Sequence, residues 1–465
     1  MKGNERINAG AVIQAYLNAG ITELPTSMQI NNYVSNKKRT LEISGDFNFV
    51  DMENMVREIK ETESEVVEFK YRIDEENPSK TDWEIIITCK QMLDDQRNQK
   101  HGNIDSTFKL IFGGFPVMVW GYSDINRHIH PTGVAIISSE TIETYKWLFE
   151  FLKSNRFCNG EWIPAEFVAD NAQCITTALR EVFPEVHRRN CIAHIIRHIF
   201  DVKFGEYGID KQTDGERIKN EILELANHAF ENHFDIAGAA LIAKWKASDH
   251  EGIVQFADYF DREYIQKNKF WYAANGQGIR QNNGMEGSNK WIKRDFINRR
   301  LPLMEAIAAL KKWLYVCAHK NYGNPAISVK TNEWIAAHDL KSVTKVIFSG
   351  GTWYVRRSKS EWDETDYRDY LEYYTDLDNV LDAGDVELFQ KNIVVVTRST
   401  LYENEFTCNC PIGALRTRCK HVLLIQVFCN HREWPNMPAL RQTINGTART
   451  RPGRPRKHTQ ALSRI

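Results

Sequence analysis

The sequence has no apolar run that approaches the roughly 20 residues a membrane-spanning helix requires, so we expect no membrane partner. Residues 1–6 also lack the apolar core of a signal peptide, which makes an intracellular protein the default expectation. Nine cysteines are an odd number in a long chain, and this argues against a complete disulfide framework. Only Cys89 lies before residue 100, so a cysteine-based zinc finger cannot be built there.

The chain also lacks an excess of charge of either sign. Its 60 Lys and Arg residues balance 61 Asp and Glu residues, so no overall basic field indicates a nucleic-acid partner. The charges are nevertheless unevenly placed along the chain. Residues 361–387 are strongly acidic, whereas the segment from Arg441 onward contains basic residues and no acid, a pattern typical of an interaction arm.

Short apolar runs alternate with amphipathic helical stretches from about residue 104 to 200, which predicts an α/β domain. The expected order is β-β-β-α-β-α-β-α, which is the order of the RNase H fold. From about 210 to 280 the sequence is typical of helices alone, and a further helix is expected over about 285–320. The expected strands are 104–108, 115–121, 133–137, 166–170 and 186–189.

Three acids lie where such a sheet would bring them together. Asp105 is on the predicted first strand, Asp170 ends the predicted fourth strand, and Glu286 begins a helix after the loop at 281–284. Two-metal phosphoryl transfer needs carboxylates held close together on rigid elements, and Mg²⁺ prefers such oxygen ligands. Each acid alone is weak evidence, because most aspartates at strand ends are caps or turn residues.

Several segments in this order resemble the motifs of Mutator-like transposases. The resemblance implies an RNase H-like catalytic domain with an all-helical insertion at about 205–280. It also implies that Asp105, Asp170 and Glu286 bind Mg²⁺ or Mn²⁺ and activate water for DNA cleavage, and then direct a 3′-hydroxyl in strand transfer at element ends. The matching segments are Asp105–Leu110, Phe115–Asp124, Asp170–Asn171, His187–His194 and Asn283–Lys290.

Cys191 and His194 form the cysteine-two-residues-histidine signature of that family. One helical turn separates them, so both side chains can share one face of a helix. Two interpretations stay open: packing in the core, since free cysteine is among the most buried residue types, or a role at the site in binding metal, DNA or both.

The residues before Asp105 depart from the family pattern. A central strand is expected to be apolar, yet 97–104 is polar and only Ile104 fits. Three explanations are open: the strand begins late, the copy has decayed, or the gene model has lost residues.

A second metal site is predicted near the end of the chain. Cys408, Cys410, Cys419 and His421 place three thiols and one imidazole within fourteen residues, the ligand set of tetrahedral Zn²⁺. The alternative is a coincidence of structural cysteines. The pattern resembles the SWIM zinc finger, which Mutator-like proteins often carry after the catalytic domain.

The basic tail resembles an AT-hook, whose Gly-Arg-Pro core lies in a narrow A·T minor groove. A plain basic tail or a nuclear localisation signal is the alternative interpretation. The residues expected to contact DNA are Arg451, Arg454, Arg456 and Lys457.

We therefore expect an α/β protein of five regions, located in the nucleus, that binds DNA and can form a homo-oligomer on it. Two functions remain open: an active transposase, favoured by the acid triad, or a domesticated or decayed derivative that binds DNA or regulates transcription without cutting. The regions are a helical or mixed N-terminal part at 1–95, the catalytic domain at 96–320, an acidic linker at 321–390, the zinc finger at 391–432 and the basic tail at 441–465.

Overall fold

A computed structural model gives the architecture of most of the chain. The structure describes residues 26, 28–29, 48–60, 65–77, 81–126, 128–154, 160–273, 278, 280–319, 329–375, 381–416 and 418–442.

The larger of two sheets has seven strands in the order β1-β2-β5-β4-β3-β6-β7. Neighbouring strands are antiparallel except for the pairs β3–β6 and β6–β7, which are parallel. The protein is therefore of the mixed α/β class. The strands are β1 (Glu65–Arg72), β2 (Asp82–Cys89), β3 (His101–Thr107), β4 (Val117–Ser123), β5 (Ile129–Ile137), β6 (Glu166–Ala169) and β7 (His187–Asn190).

Helices cover both faces of this sheet and form a separate helical layer between β7 and α10. Three helices continue without a break into π-helical turns at Ile199–Lys203, Asp261–Lys267 and Ile292–Phe296. The helices are α1 (Phe49–Lys60), α2 (Lys90–Arg97), α3 (Ile142–Lys153), α4 (Gln173–Val182), α5 (Ile192–His198), α6 (Phe204–Glu206), α7 (Asp214–Leu225), α8 (Glu231–Lys246), α9 (Glu251–Phe260), α10 (Asn283–Trp291) and α11 (Leu303–Ala318).

Alternation along β4 shows how the sheet separates two cores. Val117 and Val119 pack on the side of α11, whereas Met118 and Trp120 pack on the side of α3 and α4. The Trp120 ring lies so close to Gly133 of β5 that a Cβ at residue 133 would approach it to 2.0 Å. Glycine is therefore required at that position.

The polar segment before Asp105 is a buried central strand. His101 Nε2 lies 2.6 Å from Ser123 O, and Asn103 Nδ2 donates to Asn282 Oδ1 at 3.4 Å. Each polar side chain thus has a hydrogen-bonding partner, which lowers the cost of burying it. The expectation that this strand must be apolar was wrong, and β3 begins at His101 rather than late.

Helices α5 to α9 pack around their own aromatic core, which includes Phe204, Trp245, Phe256 and Trp271. The chain leaves the sheet after β7, and the end of the helical segment lies next to this exit. Ile192 N, at the start of the segment, donates to Arg280 O, at its end, at 3.1 Å. The helical segment therefore joins the sheet at adjacent positions.

Two region boundaries in the structure differ from those expected. Strands β1 and β2 lie before residue 96, yet they extend the same sheet beyond β5. The described part of the segment expected to be an acidic linker is folded, because Trp353, Tyr354 and Val355 are buried while most of its described acids lie on exposed helix faces. It contains α12 (Thr331–Val343), β8 (Val346–Ser349), β9 (Thr352–Arg356), α13 (Glu364–Thr375) and α14 (Ala383–Asn392).

The second sheet has four strands in the order β11-β10-β9-β8, all antiparallel, so the former linker and the cysteine-rich segment share one sheet. Across the described ranges, we find no helix with both the length and the apolar character needed to cross a bilayer. The remaining elements are β10 (Ile393–Arg398), β11 (Phe406–Cys408), α15 (Pro411–Arg416), α16 (Lys420–Phe428) and α17 (Met437–Arg441).

Candidate metal centres

The first candidate centre lies where two parallel strands end side by side. In the β3–β6 pair, His101 is opposite Glu166 and Asn103 is opposite Val168. The same register extended by two residues sets Asp105 opposite Asp170. The structure groups these two carboxylates with His194, and one ligand atom from each of the three lies within 4.8 Å of the others, a set that can hold a metal ion.

His194 connects this pair to the third predicted acid. Its Nδ1 lies 2.5 Å from Asp170 Oδ1, and its Nε2 lies 3.0 Å from Glu286 Oε1. One turn further along α5, Arg197 donates to both carboxylate oxygens of Glu286 at 2.9 and 3.0 Å. The structure thus brings Asp105, Asp170 and Glu286 to one place, but Glu286 is held by two basic side chains.

Cys191 and His194 have different surroundings. Cys191 is fully buried before the first turn of α5, and its Sγ accepts a hydrogen bond from Asn282 N at 3.0 Å. Its sulfur therefore packs between α5 and the start of α10. His194 also contacts Cys191, but its two ring nitrogens face the carboxylates of Asp170 and Glu286. Packing in the core therefore describes Cys191, and a role of His194 at the site stays a prediction.

The charges at this centre are strongly coupled. Burial, and then the negative charge of Asp170, raise the pKa of Asp105 to about 7. Burial alone would lower the pKa of His194, but its contacts with Asp170 and Cys191 outweigh that effect and raise it to about 11. His194 is therefore an imidazolium at neutral pH, and it occupies a place of concentrated negative charge.

Near Asp105, the Oδ1 atom of Asn289 is buried and has no hydrogen-bond partner within the described protein. Asn289 uses its Nδ2 to donate to Asp105 Oδ2 at 2.7 Å, which fixes the orientation of that carboxylate. Buried polar atoms without partners are uncommon, and a cation or its bound water would satisfy them.

Arg188 supports the Asp170 end of β6 and was not identified from the sequence. Its buried guanidinium donates to the carbonyl oxygens of Asp170 and Arg189, and to that of Ala169 at 3.3 Å. Burial lowers the pKa of Arg188 to about 10. Two consecutive arginines in a predicted strand were the available signal, because charged residues are rarely buried without a specific partner.

The second candidate centre is formed by Cys408, Cys410, Cys419 and His421, all of which are buried. Their ligand atoms lie within 4.8 Å of one another, so these four residues can bind zinc. His421 Nδ1 lies 3.8 Å from Cys408 Sγ and 3.7 Å from Cys419 Sγ. A tetrahedral zinc site with ordinary bond lengths has a sulfur-to-nitrogen edge of about 3.6 Å.

Backbone and side-chain contacts shape this cysteine cluster. Gly413 N donates to Cys410 Sγ at 3.1 Å, and a Cβ on Gly413 would approach Cys408 Cβ to 2.7 Å. Hydrogen bonds from the thiols of Cys408 and Cys419 lower the pKa of Cys410, which favours a thiolate there. The cluster is thus already arranged for a cation.

Asn409 ties the cysteine cluster to the rest of the molecule. Its Oδ1 accepts from Val395 N at 2.8 Å, and its Nδ2 donates to Asn227 O at 3.2 Å, just after α7. Tyr402 also reaches β4, where its hydroxyl donates to Ser123 O at 3.2 Å. The tail residues Arg451, Arg454, Arg456 and Lys457 lie outside the described residues.

Comparison with known proteins identifies the domain that contains the first centre. Residues 102–198 match the model of the MULE transposase domain. This chain carries a Mutator-like transposase domain. The match includes Asp105, Asp170, Cys191 and His194, whereas Glu286 lies beyond the matched residues.

Two curated proteins share part of this domain. Protein FAR1-RELATED SEQUENCE 6 of Arabidopsis thaliana is 28% identical over 109 residues, which are 23% of this chain and 15% of that protein. The PKS-NRPS hybrid synthetase cheA of Chaetomium globosum is 29% identical over 97 residues, 21% of this chain and 2% of that protein. Since the chain spans so little of either relative, neither name transfers a whole-protein activity to it.

Proposed function

We propose that this transposase-derived protein is a DDE-type DNA transposase with an RNase H-like catalytic domain. The support for the fold is the strand order β5-β4-β3-β6-β7, with β3, β6 and β7 parallel to one another and β4 antiparallel to β3. The observation that carries the function is the convergence of Asp105 and Asp170, with Glu286 held beside them through His194.

The donor atoms of this centre fit a hard divalent cation. Mg²⁺ and Mn²⁺ prefer carboxylate oxygens and retain water, and a carboxylate oxygen of Asp105 lies within 4.8 Å of one of Asp170. Asp105 and Asp170 would hold the ion, with Glu286 as the third acid. When bound, the ion stabilises charge on the reacting phosphate and lowers the pKa of water.

In the proposed cleavage, a water oxygen bonds to phosphorus and the bond from phosphorus to the 3′ oxygen breaks. The products are a 3′-hydroxyl and a 5′-phosphate. In strand transfer the 3′-hydroxyl forms a bond to phosphorus in the target and displaces the target's 3′ oxygen. Asn289 orients Asp105 in both steps, Arg188 holds the strand end at Asp170, and His194 keeps a proton against Glu286.

A DNA-binding derivative that does not cut is the second candidate. One observation favours it: Arg197 engages both oxygens of Glu286, and His194 contacts one of them. The positive charge that a cation would supply is thus partly provided by the protein. A derivative of this kind keeps the fold and the DNA partner and acts as a transcriptional regulator.

For the C-terminal centre we propose a SWIM-type zinc finger. The cysteine cluster connects two elements of the second sheet region, since Cys408 ends β11 and His421 lies in the first turn of α16. A bound Zn²⁺ would hold these elements together. DNA as partner, a homo-oligomer on DNA and a nuclear location belong to the same proposal, with the tail residues Arg451, Arg454, Arg456 and Lys457 as minor-groove contacts.

A nicking assay distinguishes the two functions. The full chain is incubated with element-end DNA and Mg²⁺ or Mn²⁺, as wild type and as Asp170→Asn. We expect wild type to nick the DNA and Asp170→Asn to bind but not nick, because the substitution removes a metal ligand and no basic contact. Asp249→Asn, an exposed site in the helical segment, is the matched control and should nick like wild type.

Folded wild type that binds these ends without nicking under either metal would eliminate the enzyme and retain the DNA-binding derivative. Nicking by Asp170→Asn at the wild-type rate would remove Asp170 from the proposed centre.

A further inference from the structure

A cavity of about 310 Å³ lies on the opposite part of the sheet from the carboxylate centre, between β1, β2 and α3. We call it the acidic pocket. It is open to solvent beside Lys70 and Glu150, whose side chains are each about half exposed. The residues that line it and carry the argument are Glu68, Lys70, Glu84, Trp147, Glu150 and Phe151.

Glu84 forms the floor of the acidic pocket. It is 1% exposed, and neither of its carboxylate oxygens has a hydrogen-bond partner within the described protein. Leaving a buried polar group unpaired is unfavourable, and a buried carboxyl group retained next to an open cavity indicates a missing partner. Burial raises the pKa of Glu84 well above its usual value, which favours the neutral acid when no partner is bound.

The charges around Glu84 indicate that the missing partner is positively charged. Glu68, Glu84 and Glu150 contribute three carboxyl groups, against the single ammonium of Lys70. Lys70 Nζ lies 3.2 Å from Glu150 Oε2 and 5.0 Å from the centre of the Trp147 ring. The Trp147 face therefore already accepts a cation at the pocket entrance, and a second cation is needed at the floor.

We propose that the acidic pocket binds the guanidinium group of an arginine side chain. Two unpartnered oxygens on Glu84 match the paired N–H donors of a guanidinium, which binds carboxylates through two parallel hydrogen bonds. The aliphatic stem of the arginine can lie against Phe151 and Ile86, which also line the pocket. A bare metal ion would leave most of this volume empty.

Burial favours the neutral form of Glu84, whereas pairing with a guanidinium, which is always charged, favours the ionised form. We therefore expect binding to release a proton from Glu84. The titratable groups that face Glu84 are Glu68 and Lys70 from β1 and Glu150 from α3, and these remain in place. The proton therefore leaves Glu84 for the buffer.

The test is calorimetric titration of the full chain with arginine amide, and with lysine amide as the matched ligand. Titration in two buffers of different ionisation enthalpy counts the protons released. We expect arginine amide to bind with release of one proton, and lysine amide to bind at least about tenfold more weakly.

Glu84→Gln is the informative variant, because glutamine matches the neutral acid in shape and should leave the fold intact, as checked by circular dichroism. We expect it to weaken arginine binding by about tenfold or more and to abolish the proton release. Glu143→Gln, on α3 outside the pocket lining, is the control and should bind like wild type.

Three results would overturn the proposal: no binding of arginine amide by either the wild type or the tail variant described next, equal binding by Glu84→Gln, or equal affinity for lysine amide. The source of the arginine is tested separately, by replacing the five tail arginines that follow Arg441 with lysine in the full chain. Tighter binding of added arginine amide by that variant indicates that the tail fills the pocket, and unchanged binding indicates another protein. The replaced residues are Arg449, Arg451, Arg454, Arg456 and Arg464.

Discussion

Two buried histidines lie where the helical segment meets the C-terminal region. His228 is 6% exposed and His233 is fully buried, and their ring centres are 6.1 Å apart. His233 Nε2 and the Tyr374 hydroxyl share a hydrogen bond of 2.7 Å. Burial lowers the pKa of each histidine to about 4, and for His233 the charge of His228 adds to the effect.

This geometry predicts that mild acid loosens the junction. In the unfolded chain a histidine has its ordinary pKa of 6.5, so between pH 6.5 and 4 the unfolded state binds more protons than the folded state. The stabilisation is complete above pH 6.5 and is lost as the pH falls towards 4. From the two pKa values, lowering the pH from about 7.5 to about 5 should cost about 2 kcal/mol for each histidine.

Amide hydrogen exchange of α8 and α14, corrected for its intrinsic pH dependence, measures the opening of this junction. His228→Leu should reduce the loss of opening free energy between these pH values by about 2 kcal/mol, because one titrating group is removed. His250→Gln, an exposed site between α8 and α9, is the matched control and should leave the loss as in wild type. The same loss in wild type and His228→Leu would refute the reasoning.

Three further predictions concern the metal centres and the tail. Cys410→Ser should abolish zinc binding and unfold residues 391–432, because structural zinc contributes roughly 10–16 kcal/mol to folding. Metal analysis should find zinc still bound in the control variant Cys429→Ser. Arg188→Met should lower the free energy of unfolding by about 3 kcal/mol and weaken Mn²⁺ binding measured by calorimetry, and Arg188→Lys should restore part of both. Unchanged Mn²⁺ binding by Arg188→Met would contradict the inference that Arg188 positions Asp170. Replacing Arg451, Arg454, Arg456 and Lys457 by glutamine should reduce the dependence of DNA affinity on salt by about 0.9 per lost phosphate contact, and an unchanged slope would exclude these contacts.

The sequence allowed five of the seven strands of the central sheet to be predicted, with their order along the chain, because short continuous apolar runs are typical of strands buried on both faces. Val117–Gly121 and Gly133–Ile137 belong to β4 and β5 as expected. The segment 101–105 was harder to interpret, since its polar residues are buried by partners remote in sequence. His101 contacts Ser123 and Asn103 contacts Asn282, and no local pattern contains such pairs.

The candidate site was predictable in part. Asp105, Asp170 and Glu286 were identified from their positions on elements, but their salt bridges with Arg197 and His194 depend on how α5 packs against α10. Arg188 was missed because its role is to donate to backbone oxygens, and the two consecutive arginines in the strand do not indicate which oxygens accept. The linker at 321–390 was misjudged because acidic composition describes helix surfaces and not the buried Trp353 and Val355.

The hydrogen bond from Ile192 N to Arg280 O closes a long excursion of the chain at a single point of the sheet. The helical segment can therefore be treated as a loop whose two ends are fixed on the sheet. The entropic free-energy cost of closing such a loop rises only slowly with its length, by about 0.6 kcal/mol for each doubling. Segments of very different length can therefore be exchanged between these two anchor points without changing the sheet. Such an exchange would remove the contacts between the helical segment and the C-terminal region, in which Asn227 pairs with Asn409 and His233 pairs with Tyr374.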